Sequence, residues 1–221
     1  MSLLRSIGLL GGTFNPIHNG HLYLAEQLKR TLGLNEVRFI PSAMPVLKAA
    51  PEVSAAQRAE MVKRAIAGKP SFKLDPLELA RAGKSYTIDT LLALRAILGN
   101  EVSLCWLIGT DAFKSLPAWH RWSELLDYCH FVVVQRPDNS GLSAAVDVAP
   151  ALQTLIQQHI THDAQDLKRL SHGKILMQEI DALDISSTHI RQQLTAGEDV
   201  HAQLPAEVFA YIKQHHLYGA S

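Results

Sequence analysis

The chain has 221 residues, 47% of them hydrophobic and 19% charged, the make-up of a folded globular protein rather than of a disordered chain or a disulfide scaffold. Twenty-one basic residues balance twenty-one acidic ones, so no global positive field draws the chain to nucleic acid or to an anionic membrane. The length favours one domain spanning 1–221, with a C-terminal helical part over roughly 185–221. There is no basic stretch followed by a long apolar segment at the start, nor an apolar run of about 18 residues elsewhere, so the expected location is the cytoplasm.

Short apolar segments bounded by Gly, Pro or charge recur at Ser6–Leu10, Val37–Ile40, Val102–Ile108, Phe131–Val134 and Ile175–Ile180, and these predict strands. Between them lie helical spacings: Leu24, Ala25, Leu28 and Leu32; Met61, Val62, Ala65 and Ile66; Ile88, Leu91, Leu92 and Arg95. Strands alternating with helices, some apolar throughout, predict an α/β fold with a doubly wound parallel sheet and helices on both faces. Ligands in such folds sit beyond the carboxyl ends of strands, near Leu10, Ile40, Ile108 and Ile180. The segment from Gln135 to Pro150 reads as a surface loop, and helices are expected at Ser187–Leu194 and Pro205–His215. Cys105 and Cys129 lie in apolar runs without metal-like spacing and read as small buried hydrophobes. No feature of the sequence sets an oligomeric state.

The first strand runs into Gly11-Gly12-Thr13-Phe14-Asn15-Pro16-Ile17-His18-Asn19-Gly20-His21, with an amphipathic helix beginning near Leu22. The two glycines are expected to let the backbone turn sharply and approach a ligand, so that amides near Thr13 and Phe14 donate to phosphate oxygens. His18 and His21 stand at a helix N-terminus, where unpaired amides and the dipole favour an anion, and together they suggest an electrostatic clamp on a phosphate chain. Capping and packing are the plainer roles open to the same two residues. A dinucleotide fingerprint is excluded because no G-x-G-x-x-G occurs here, and a P-loop because Glu78 stands where Gly83-Lys84-Ser85 would need its first glycine. Further on, Ser186, Ser187 and Thr188 suit a helix cap with hydroxyls and amides for phosphate, and Arg191 follows one turn later as a forked cation. A plain capped surface helix would carry the same residues.

Gly12 to His21 resembles the GTFxPxHxGH signature of the nucleotidylyltransferase superfamily, and Ile185-Ser186-Ser187-Thr188-His189-Ile190-Arg191 is similar to its ISSTxIR element. Within the superfamily the resemblance is nearest to the bacterial nicotinate-nucleotide adenylyltransferases: Ser85-Tyr86-Thr87 with Thr90, Ile108-Gly109-Thr110-Asp111, Ala118-Trp119-His120, Arg136-Pro137 and Leu217-Tyr218 also fit. The resemblance implies a Rossmann-like fold and transfer of AMP from ATP to nicotinate mononucleotide. It implies ATP contacts from Gly11, Gly12, Thr13, Phe14, Gly109, Asp111, Ile185, Ser186, Ser187 and Thr188. It further implies His18, His21 and Arg191 as catalytic donors and Mg2+ carried by the ATP phosphates, with no metal ligands from the protein. Thr87, Trp119 and His120 would hold the nicotinate ring and carboxylate, with Lys48 as a positive charge beside them. One departure stands out: Leu47 occupies the place of a family histidine in Pro41-Ser42-Ala43-Met44-Pro45-Val46-Leu47-Lys48. The residues leave two alternatives open, another superfamily nucleotidyltransferase such as a phosphopantetheine adenylyltransferase, and a nucleotide-binding regulator without turnover.

Overall fold

The computed structural model describes residues 3–44, 53–81, 83–135, 148–181 and 183–220. Its strands are β1 (Arg5–Gly12), β2 (Glu36–Pro41), β3 (Phe72–Leu74), β4 (Val102–Gly109), β5 (His130–Gln135), β6 (Ile160–Thr161) and β7 (Ile175–Glu179). The helices are α1 (Asn19–Leu32), α2 (Ala55–Ala65), α3 (Thr87–Leu98), α4 (Thr110–Lys114), α5 (Pro150–His159), α6 (Asp166–Arg169), α7 (Ser187–Thr195) and α8 (Ala206–Gln214). All five expected strands are present, with ends shifted by at most two residues. The two additional strands, β3 and β6, have three and two residues, too few for a hydrophobic period to register.

The strands form one parallel sheet of order β3-β2-β1-β4-β5-β7-β6, a Rossmann-like α/β fold. β4 pairs in register with β1, Ile7 opposite Leu104 and Leu9 opposite Trp106, and with β5, Ile108 opposite Val133. All six residues of β5 and six consecutive residues of β4 are buried, as expected of central parallel strands that have no face for water. After β1 the chain order proceeds one way to β2 and β3 and then returns to place β4 on the other side of β1. The β1–β4 pair is therefore the topological switch point, where doubly wound folds bind ligands at the strands' carboxyl ends.

The chain divides into two compact units. One comprises Met1–Gly11, Leu28–Val37 and Tyr86–Asp181. Its core includes Ile7, Leu9, Leu104, Phe131, Val132 and Ile175, all fully buried. Arg95 near the end of α3 ties this unit together by donating to the carbonyls of Tyr128 (2.7 Å), Val102 (2.7 Å) and Ser171 (2.8 Å). Cys105 and Cys129 are buried free thiols, and burial pushes Cys105 up to about 12. His130 is also buried here: its Nε2 pairs with the Leu170 carbonyl and its Nδ1 accepts from the Lys174 amide. That arrangement suits a neutral ring, and burial pushes its pKa down to about 4.

The other unit comprises Gly12–Gln27, Arg38–Ser85 and Ala182–Ser221. Its core holds Ile17, Phe39, Ile40, Met61, Val62, Ile190, Val208 and Ile212. α2 starts at a capping box between Ser54 and Gln57. The C-terminal helices belong to this packing: α8 lies on α2, with the Arg64 guanidinium 4.7 Å above the Tyr211 ring.

Candidate active site

Gly11 and Gly12 are the last two residues of β1 and neither has a positive φ, so the expected sharp glycine turn is absent. The turn is made at Phe14, with φ 48°, whose ring is buried against Phe39 at 5.9 Å between centroids. Side chains explain the glycines: a Cβ on Gly11 would lie 2.7 Å from Trp106 Cζ2, and one on Gly12 would lie 3.1 Å from the Phe14 ring.

Beyond β1 the loop is held by its carbonyls. Thr13 O accepts from Arg58 Nη1 (2.6 Å), Asn15 O from Arg191 Nη1 (2.8 Å) and Pro16 O from Ser187 Oγ (2.9 Å). The Asn15 side-chain oxygen accepts from the Tyr218 hydroxyl at 2.6 Å. No hydrogen bond engages the Thr13 or Phe14 amide among the described residues. A loop whose carbonyls are bound within the protein while these amides are left over presents donors, which is what an anion requires.

α1 begins at Asn19 with no acidic side chain in its first turn, and the Asn19 amide donates to the Gln203 carbonyl at 2.9 Å. His18 and His21 lie with ring centroids 3.8 Å apart and an angle of 32° between planes. The glycine between them supplies the room: a Cβ on Gly20 would lie 3.0 Å from His18 Nδ1. His21 Nδ1 accepts from the His18 amide at 3.3 Å, so a neutral His21 carries its proton on Nε2, as a donor. His18 Nδ1 is buried with no partner among the described residues, and burial pushes the imidazole down to about 4. The expected electrostatic clamp is altered on this point: at neutral pH His18 offers a hydrogen bond rather than a charge, because burial disfavours the imidazolium.

The second sequence element meets the first, with the Ile185 Cβ 3.5 Å from the position a Gly20 Cβ would take. Within it Ser186 Oγ caps α7 by accepting from the His189 amide at 3.2 Å, and Ser187 uses its hydroxyl proton on Pro16. Thr188 Oγ1 accepts from Arg191 Nη2 at 3.4 Å. The hydroxyls expected to face phosphate therefore cap the helix and hold the loop and the arginine, and among the described residues the Ser187 and Thr188 amides at the start of α7 are left without a partner.

In the other unit, Gly109 ends β4 and caps α4, with Asp111 exposed in the first turn of that helix. Gly109 has φ −76°, and a Cβ there would meet nothing within 4 Å, so neither backbone strain nor packing requires glycine. Thr87 opens α3, and Thr90 is buried with its hydroxyl turned back to the Tyr86 carbonyl at 3.4 Å. The Tyr86 and His120 rings meet at 4.5 Å between centroids, tilted by 39°, which brings the segments around Thr87 and Trp119 together. Beside His120, Trp119 is half-buried and its Nε1 is buried without a hydrogen-bond partner among the described residues. Lys48, Leu47 and Arg136-Pro137 lie outside the described residues. Among those described, no three His, Cys, Asp or Glu side chains come together as a metal site, and no helix is long and apolar enough to cross a membrane.

The site contains one residue that sequence reasoning missed. Arg58 of α2 carries no motif, and its partners are carbonyl oxygens, which leave no trace in side-chain identity.

Comparison with known proteins gives this geometry a lineage. The cytidylyltransferase-like family matches residues 9–193. A protein of Halorhodospira halophila named "Probable nicotinate-nucleotide adenylyltransferase" is 44% identical over 98% of this chain and 96% of its own. One of the same name from Aeromonas salmonicida is 45% identical over 99% of each. The chain belongs to the nicotinate-nucleotide adenylyltransferase family. A solved Plasmodium falciparum nicotinic acid mononucleotide adenylyltransferase complexed with NaAD shares the fold at 17% identity, with a TM-score of 0.72 and 98% of each chain covered. A second Plasmodium falciparum structure, complexed with APC, gives a TM-score of 0.70 at 16% identity over the same shares.

Proposed function

We propose that the protein transfers AMP from ATP to the 5′-phosphate of nicotinate mononucleotide, releasing pyrophosphate and forming deamido-NAD, as a cytoplasmic enzyme of NAD biosynthesis. The observation that carries this reading is the convergence of His18, His21 and Arg191 on one loop, whose carbonyls are bound while the Thr13 and Phe14 amides are left to donate.

An oxygen of the acceptor phosphate attacks the α-phosphorus of ATP in line. The bond from that phosphorus to the bridging oxygen breaks, and pyrophosphate leaves with the electron pair, so no protein nucleophile is required. Catalysis then consists of positioning and of donors aimed at growing negative charge. The loop amides and the N-terminus of α1 take phosphate oxygens. His21 Nε2–H and the donors of Arg191 not used on Asn15 and Thr188 act on the α-phosphate and the leaving group, and His18 adds a neutral N–H. Mg2+ enters with ATP as part of the substrate.

On the acceptor side, Trp119 offers a flat face for the nicotinate ring, with Thr87 and His120 as polar partners and Lys48 as a cation. The test is pyrophosphate release from ATP and Mg2+ with a panel of acceptors: nicotinate mononucleotide, nicotinamide mononucleotide and phosphopantetheine. Preference for the first supports the reading, and turnover with phosphopantetheine alone would transfer the protein to another branch of the superfamily.

A further inference from the structure

Arg58 is 1% exposed, yet no carboxylate pairs with it among the described residues. Its bonds go to backbone carbonyls: Nη1 to Thr13 O at 2.6 Å, Nη2 to Ser42 O at 2.7 Å and to Ala43 O at 3.2 Å, and Nε to Val53 O at 3.4 Å. Burying a cation without an anion is costly, so packing alone is a poor reason for it. The fork joins the loop after β1 to the segment after β2, which are already linked by the Ser42 amide and the Gly12 carbonyl at 2.9 Å.

We propose that Arg58 is the positioning residue of the phosphate site: its guanidinium draws the Thr13 and Ser42–Ala43 carbonyls to one point, leaves the Thr13 and Phe14 amides for the ATP phosphates, and adds a positive charge at the loop's base. Two consequences separate this role from simple packing. Geometry requires the planar fork, since one guanidinium serves carbonyls on two segments, whereas a lysine is a single point charge. Electrostatics requires the charge, which acts on an anion through a medium that screens poorly. Affinity for ATP should therefore fall in steps from arginine to lysine to methionine.

The role rests on the proposed function, because it presumes that ATP phosphates occupy the loop. The experiment is calorimetric titration of wild type, Arg58→Lys and Arg58→Met with ATP and Mg2+ in the absence of acceptor, alongside thermal melts and the KM for each substrate. The expected result is ATP affinity lowered about tenfold or more by methionine and by less with lysine, from the loss of charge-assisted bonds. The KM for ATP should rise in parallel, while that for nicotinate mononucleotide stays within about twofold. Folded variants that bind ATP as wild type does, or whose two KM values rise together, would overturn the proposal. The lysine variant, which keeps the charge and the stem, decides the matter should methionine prevent folding. Wild type that binds no ATP would instead overturn the functional reading and this role with it.

Discussion

Gly20 gives the spacing of the two histidines its steric reason. A Cβ on Gly20 would lie 3.0 Å from His18 Nδ1, so Gly20→Ala is expected to push that ring aside and to leave the fold intact. Turnover is expected to fall by about tenfold to a hundredfold, as for misplaced catalytic groups generally, with little change in melting temperature. His21→Ala removes the Nε2 donor and is expected to lower kcat by about a hundredfold or more while largely sparing ATP binding. Unchanged turnover in that variant would remove His21 from the mechanism. Gly11 acts differently, because its missing Cβ makes room for Trp106 at 2.7 Å. Gly11→Ala is expected to cost about 1–3 kcal/mol by overpacking, read as a lowered melting temperature. The glycines were thus visible in the sequence as a group, but their separate reasons were not. The Phe14 ring beside Gly12, Trp106 beside Gly11 and the His18 imidazole beside Gly20 all ask for the same residue.

At the scale of elements, the longer strands were legible because burial on both faces leaves runs such as Val102 to Ile108 without a polar residue larger than serine. β3 and β6 were not, since they are short and their place is set by pairing. The contact between α7 and the loop after β1 was legible only through resemblance. No periodicity relates Ser187 to Pro16 or Arg191 to Asn15, which are far apart in the chain. Arg58 escaped notice altogether, because helical spacing shows which face is apolar and says nothing of a cation among carbonyls. The tail near Tyr218 supports the same loop from the other end of the chain. Tyr218→Phe removes its bond to Asn15 and is expected to cost about 1 kcal/mol in stability and to lower kcat several-fold, measured by melts and steady-state rates. Full activity in that variant would show that the tail is dispensable to the loop.

At the scale of the whole molecule, two buried neutral histidines make stability depend on pH. His18 and His130 each have a folded pKa of about 4, against 6.5 as the ordinary value. Between these values the unfolded chain binds protons that the folded one refuses. Their contribution is therefore complete above about pH 6.5 and is lost as pH falls towards 4, where the folded rings protonate as well. Denaturation curves of the ligand-free protein near pH 5 are expected to show uptake of close to two protons from these rings on unfolding, reduced by about one in His130→Asn. An unaltered slope in that variant would mean that His130 is charged in the folded state. The activity itself is tested most directly by purified protein with ATP, Mg2+ and either nicotinate or nicotinamide mononucleotide, following pyrophosphate and the dinucleotide product. Rapid pyrophosphate release with nicotinate mononucleotide, matched mole for mole by deamido-NAD, is the predicted result. ATP binding with no pyrophosphate from either acceptor would contradict it.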